Sequence, residues 1–132
     1  MIVYTDGSVR GTRLRKLGSA GAGVFIQAAE PVSLAQPLGV TSIMTAEASA
    51  MLLGIEMASS MPWTTLVVRT DCKTLADQLE HPTWGKKNKD AAYRDLLARL
   101  RERITPNIRV EWVPRELNTI ADGLARAAAR AV

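Results

Sequence analysis

The spacing of apolar and polar positions changes several times along the chain, and each change marks an element. Met1-Ile2-Val3-Tyr4-Thr5 is apolar and β-prone, leads into Asp6-Gly7-Ser8, and predicts a strand over residues 1–6. Val9–Gly18 is polar and basic, with Arg10, Arg13, Arg15 and Lys16, and reads as a long turn. Ala20–Ala28 predicts a second strand, in which Gly21 and Gly23 signal a bulge or a close backbone approach. Pro31–Val40 predicts a third, with proline at its edges. The links are too short for crossover helices, so the three strands form an antiparallel meander.

Helical spacing then takes over. Ala48, Met51, Leu52, Ile55 and Ala58 form one stripe of a helix over Thr45–Ser60, with Thr45 as its N-cap and Pro62 past its end. Thr64–Thr70 is a short apolar strand, and Cys72–Glu80 is a short helix with Leu75 and Leu79 one turn apart. His81-Pro82-Thr83-Trp84-Gly85 breaks that helix, and a basic cluster of Lys86, Lys87 and Lys89 follows. Asp90–Arg103 places Tyr93, Leu96, Leu97 and Leu100 on one helix face. Asn107–Val113 alternates at Ile108, Val110 and Trp112 as a last strand. The final helix, Asn118–Val132, aligns Leu117, Ala121, Leu124 and Ala128. The order β-β-β-α-β-α-α-β-α predicts an α/β fold, a mixed sheet with helices on its faces. The strands ending at Asp6 and Asp71 flank a crossover helix, so they are parallel neighbours with both acids at one edge.

Composition narrows the class. At 132 residues the chain predicts one domain spanning 1–132. Hydrophobic residues make up 47% and charged residues 23%, which excludes a disordered or collagen-like chain. A net charge of +4 suits a polyanionic partner without demanding one. The single cysteine, Cys72, rules out an internal disulfide and suits a reducing compartment, where it acts as a small buried hydrophobe. No stretch approaches the length of a membrane span, and the N-terminus reads as a strand rather than a signal core. A monomer in the cytoplasm is the default expectation.

Four acids carry the chemistry: Asp6 and Asp71 at strand ends, Glu47 in the first turn of an apolar helix, and Asp122 inside the last helix. Carboxylates far apart in sequence but joined by a fold are what hard divalent cations such as Mg²⁺ or Mn²⁺ require. Each acid has a plainer alternative. Asp6 could open a turn with Gly7 and Ser8, and Glu47 could offset the helix dipole. Asp71 could cap the helix that follows it, and Asp122 could face solvent.

Taken together, Tyr4-Thr5-Asp6-Gly7-Ser8, Gly21-Ala22-Gly23-Val24, Thr45-Ala46-Glu47, Thr70-Asp71, Trp112-Val113-Pro114-Arg115-Glu116, Asn118 and Ala121-Asp122-Gly123-Leu124-Ala125 resemble type 1 ribonuclease H. The motifs lie in order over nearly the whole chain. The resemblance implies a five-stranded mixed sheet, its first three strands antiparallel and the rest parallel, with helices on both faces. It implies a two-metal endonuclease that cuts the RNA strand of RNA–DNA hybrids and leaves 5′-phosphate and 3′-hydroxyl ends. Asp6, Glu47, Asp71 and Asp122 would be the catalytic metal ligands.

The sequence departs from the family at several points. The only histidine, His81, lies away from the final Asp, where many members carry a loop histidine; Arg115 stands in the shortened loop. Arg115 would serve there electrostatically, the alternative being a salt bridge to Glu116 or Glu111. Ile43 and Met44 occupy positions where the family often supplies Asn side chains to read a 2′-hydroxyl, so backbone groups of Gly7, Ser8 and Met44 would substitute. Ser42 matches a phosphate-gripping position, Lys73 stands where Gln is frequent, and Asn118 is a further substrate contact. Trp84, Lys86 and Lys87 offer a reduced form of the family's basic protrusion, the alternative being a solvated loop with Trp84 in the core. Trp63 and Trp112 are assigned to packing. Two other readings stay open: a non-catalytic module that binds hybrid or duplex, and a DNA-cleaving member of the same superfamily. The Trp112–Glu116 block argues against the second.

Overall fold

In the computed structural model, which describes residues 1–11, 17–81, 83–84 and 87–131, five strands and four helices build the expected mixed sheet. The strands are β1 Ile2–Arg10, β2 Gly18–Gln27, β3 Val32–Thr41, β4 Leu66–Thr70 and β5 Ile108–Trp112. The helices are α1 Ile43–Ala58, α2 Lys73–Glu80, α3 Ala91–Arg103 and α4 Thr119–Arg130, with a 3-10 turn at Arg115–Leu117. The strand order is β3-β2-β1-β4-β5. β1 pairs antiparallel with β2 and β2 with β3, whereas β1 with β4 and β4 with β5 are parallel. Among the described residues no helix is long and apolar enough to cross a membrane.

β1 is longer than its apolar run. It continues through Asp6 to Arg10 because β2 pairs it throughout, down to Arg10 opposite Ser19. Asp6 is therefore a mid-strand residue, and no turn opens there. The parallel ladder between β1 and β4 nonetheless ends at Thr5 opposite Thr70. Asp6 and Asp71 each follow that last pair, so both acids stand where the two strands part, at a switch point of the sheet.

Helices cover the two faces through close backbone approach. Residues opposite one another in an antiparallel pair point to the same face. Asp6 and Ser8 thus share a face with Gly23 and Gly21, their partners. α4 lies directly on those glycines: a Cβ added at Gly23 would stand 2.1 Å from the Ala121 carbonyl oxygen. The other face meets α1. A Cβ at Gly7 would stand 2.4 Å from the backbone of Ala46 and Glu47, and one at Gly54 would press on Thr5 and Val3. The core between sheet, α1 and α3 includes Val3, Val24, Met51, Ile55, Leu66, Val68, Tyr93, Leu97 and Leu100, all nearly inaccessible.

Several boundaries differ from the sequence expectation. Ser42, not Thr45, is the N-cap of α1, and its side chain accepts the Thr45 N–H at 3.2 Å. The helix thus starts at Ile43, which moves Glu47 out of the first turn, where it would best offset the dipole. Asn118 caps α4, so Asp122 lies in the first turn rather than mid-helix. The buried positions of α4 are Ala121, Ala125, Ala128 and Ala129; Leu117 is 62% exposed, because it belongs to the 3-10 turn. Trp63 packs against the core, but Trp112 is 47% exposed at the end of an edge strand whose burial fades after Ile108.

Candidate active site

Asp6 and Glu47 are 4% and 7% exposed, burial that a carboxylate tolerates only with a partner. One oxygen from each of Asp6, Glu47 and Asp71 lies within 4.8 Å of the others. The Gly7 N–H donates to Glu47 Oε2 at 3.1 Å, which fixes the glutamate against the strand carrying Asp6. Asp71 is not a helix cap: Cys72 holds that position in α2, and it is the Asp71 backbone carbonyl that accepts the Trp112 indole N–H at 3.2 Å. Asp122 arrives from α4 and lines the same cavity, of about 210 Å³, with the other three acids, Arg115 and Arg126.

Electrostatics mark the cluster as incomplete. Burial pushes the Asp6 carboxyl up to about 10, with the charges of Glu47 and Asp71 adding to the effect. Burial pushes Glu47 up to about 8, assisted by Asp71 and opposed by the Gly7 N–H. Among the described residues no cation of the chain sits among the three close carboxylates; Arg126 pairs with Asp122 instead, Nε to Oδ1 at 3.2 Å. A set of hard oxygen donors with uncompensated charge fits a divalent cation of the Mg²⁺ type.

The pH dependence follows from the sign of these shifts. Both carboxyls titrate higher in the fold than in the unfolded chain, where values near 4 apply. Their contribution to stability is complete below that range and is lost as pH rises through the folded values. In chelator, thermal unfolding is expected to occur at lower temperature at about pH 9 than at about pH 5, and Mg²⁺ should remove the difference. A cation-free melting temperature that rises over that interval would contradict the charge assignment.

The remaining predicted contacts scatter. Gly7 and Ser8 line the acidic cavity. Ser42 and Met44 line a neighbouring groove of about 660 Å³, which Ile43 joins to the acidic cavity. The Ser42 hydroxyl donates to Asp90 Oδ2 at 2.9 Å, as does the Thr45 hydroxyl, and so is already committed. Lys73 is exposed and pairs with Asp77 at 3.5 Å. Trp84 is 51% exposed rather than in the core, stacks on His81 at 4.0 Å, and has its carbonyl held by Arg101. Lys87 is exposed; Lys86 and residues 12–16 of the arginine-rich turn lie outside the described residues. Among the described residues Arg115 forms no ion pair: Glu111, one of its candidate partners, bridges Arg69 and Arg109. Burial raises the Cys72 thiol to about 11, as suits a packing residue rather than a nucleophile.

Asn118 is 1% exposed, with its side-chain N–H donating to the Thr5 carbonyl at 3.0 Å. It ties the start of α4 to the strand carrying Asp6, and burial rather than this bond keeps it from substrate, since its Oδ1 has no partner among the described residues. Asn118→Ala is expected to cost about 1–3 kcal/mol in urea unfolding, because it strands the buried Thr5 carbonyl. A loss well below that range would show that the tie is not needed. Arg126 belongs to no sequence motif, and the signal that could have found it is its i, i+4 spacing from Asp122.

Comparison with known proteins adds a family and a set of similar folds. A family model described as reverse transcriptase-like matches residues 5–128. The chain is similar to RNase H1 from the halophilic archaeon Halobacterium salinarum: 25% identity, TM-score 0.81, covering 96% of this chain and 95% of that one. It is similar to an N-terminal RNase H domain from Mycobacterium tuberculosis: 29% identity, TM-score 0.81, covering 98% and 93%. It is also similar to LC11-RNase H1, a protein isolated from compost, in complex with an RNA/DNA hybrid: 25% identity, TM-score 0.80, covering 97% and 95%. No curated protein sequence matches.

Proposed function

The chain belongs to the reverse transcriptase-like family and is a ribonuclease HI-like protein, and on that premise we propose that it is a divalent-cation-dependent endonuclease for RNA–DNA hybrids. The observation that carries the reading is the trio Asp6, Glu47 and Asp71, buried or half-buried and within 4.8 Å of one another where β1 and β4 part. The similarity to a ribonuclease with hybrid bound supports the choice of substrate.

Asp6, Glu47, Asp71 and Asp122 would hold the cations, Mg²⁺ or Mn²⁺ and two in number. When bound, they would supply a deprotonated water and offset charge on the scissile phosphate and the departing 3′ oxygen. The chain's own contribution is positioning. The Gly7 N–H orients Glu47, the end of the parallel ladder places Asp6 beside Asp71, and Asn118 anchors the helix that presents Asp122. Arg115 offers a guanidinium to the same cavity, which can attract the phosphate but does not serve as a proton relay. Cleavage would leave 5′-phosphate and 3′-hydroxyl ends on the RNA.

The test is cleavage of an end-labelled hybrid with Mg²⁺ and with Mn²⁺, beside single-stranded RNA, duplex RNA and duplex DNA. Cutting of the RNA strand of the hybrid alone is expected. Binding without cutting would reduce the protein to a recognition module, and cutting of DNA would assign it to another branch of chemistry.

A further inference from the structure

The four acids do not form one equivalent set. Three of them lie within 4.8 Å of one another; Asp122 faces the same cavity and stands beside Asp6, but it is not within that reach of all three. Its Oδ1 is engaged by Arg126 Nε at 3.2 Å, one helical turn further along α4. Arg126 lines the cavity as well, its side chain is 56% exposed, and among the described residues its two Nη groups have no partner. The guanidinium thus has one edge on a carboxylate and its free donors beside the place where a phosphate would lie. Arginine suits both roles, since its planar fork binds carboxylate and phosphate alike.

We propose that Arg126 holds Asp122 in an ion pair that competes with cation binding there. The free protein would take its first cation at Asp6, Glu47 and Asp71, and a second would enter only when nucleic acid draws the guanidinium onto a phosphate. This rests on the cation-dependent reading above and adds to it an order of assembly. An exposed pair of this kind is weak, which lets substrate displace it. Its effect is to keep the second cation from settling before substrate arrives.

The experiment is Mn²⁺ binding to the free protein, followed by electron paramagnetic resonance, for the parent, Arg126→Ala, Arg126→Lys and Arg130→Ala. Arg130 lies one turn beyond Arg126 on α4 and is exposed, so its replacement removes the same charge without touching Asp122. The parent should bind one Mn²⁺ well and a second weakly. Arg126→Ala should strengthen the second by about threefold to fivefold, with Arg126→Lys between them and Arg130→Ala like the parent. The proposal fails if Arg126→Ala and Arg130→Ala shift the second affinity equally, since only long-range charge would then be at work. It also fails if the parent takes two ions with equal strength. If the parent binds no Mn²⁺ at all, the cation-dependent reading itself falls, an outcome distinct from the other two. Circular dichroism of each variant separates a lost fold from a lost site.

Discussion

Asp71→Asn should abolish hydrolysis of the hybrid and at the same time leave the cation-free protein more stable than the parent. The two effects have one cause. Asp71 raises the proton affinity of both Asp6 and Glu47, so its charge is a standing cost to the fold when no cation is bound. Asparagine keeps the shape and removes the charge. The contact that holds this residue in place uses its backbone carbonyl, which the substitution preserves. Relief of repulsion among partly buried like charges is on the order of 1 kcal/mol, or about 4 °C in Tm at this size. Loss of one preorganised charge from a phosphoryl-transfer site costs a factor of about 10²–10³ or more in rate. The measurement is paired: melting in chelator at about pH 8, and cleavage of hybrid at saturating Mg²⁺. A variant that cuts as the parent does would remove Asp71 from the site. One that melts earlier in chelator would show that Asp71 stabilises the cluster rather than strains it.

Gly23→Ala should be the most destabilising glycine-to-alanine change among the described residues, and Gly123→Ala, on the helix that Gly23 supports, should be mildly stabilising. At Gly23 the added carbon would stand 2.1 Å from the Ala121 carbonyl oxygen and 2.6 Å from the Ala125 nitrogen. Both are backbone atoms of α4, so no side chain can swing aside and the helix itself must lift. Overpacking typically costs about 1–3 kcal/mol, and contact with backbone atoms puts this site at the upper end. Because α4 carries Asp122, the same displacement should lower activity beyond what partial unfolding explains. Gly123 is exposed and meets nothing within 4 Å, and alanine there gains about 0.5–1 kcal/mol of helix propensity. Urea unfolding of both variants decides the matter: equal effects would mean that α4 does not rest on β2 as described.

The acids could be named from sequence because their surroundings are local. Asp6 follows an apolar β-prone run, Asp71 follows another, and Glu47 sits on a helix whose apolar stripe is plain. The meander and the crossover order follow from link lengths and period, and the sheet has the expected pairing. Boundaries were less legible. β1 outlasts its apolar residues because β2 supplies partners through Arg10, and a ladder partner far along the chain leaves no mark on local composition. Local pattern favours Thr45 as the cap of α1, yet Ser42 takes it, and the Ser42 and Thr45 hydroxyls both turn to Asp90.

By itself the sequence determined the type and order of the elements, the four acids and the family they resemble. These follow from period, turn chemistry and motif spacing, which are properties of neighbouring residues. Tertiary structure alone decided what each group can do. It parted β1 from β4 at Thr5 and Thr70, so that a mid-strand aspartate faces Asp71 across a gap. It buried Asn118 against the Thr5 carbonyl and left Trp112 in solvent. It also paired Asp122 with Arg126 while leaving the other three acids, among the described residues, without a cation of the chain's own. Burial and charge compensation depend on which distant segments meet, and no local pattern encodes that meeting.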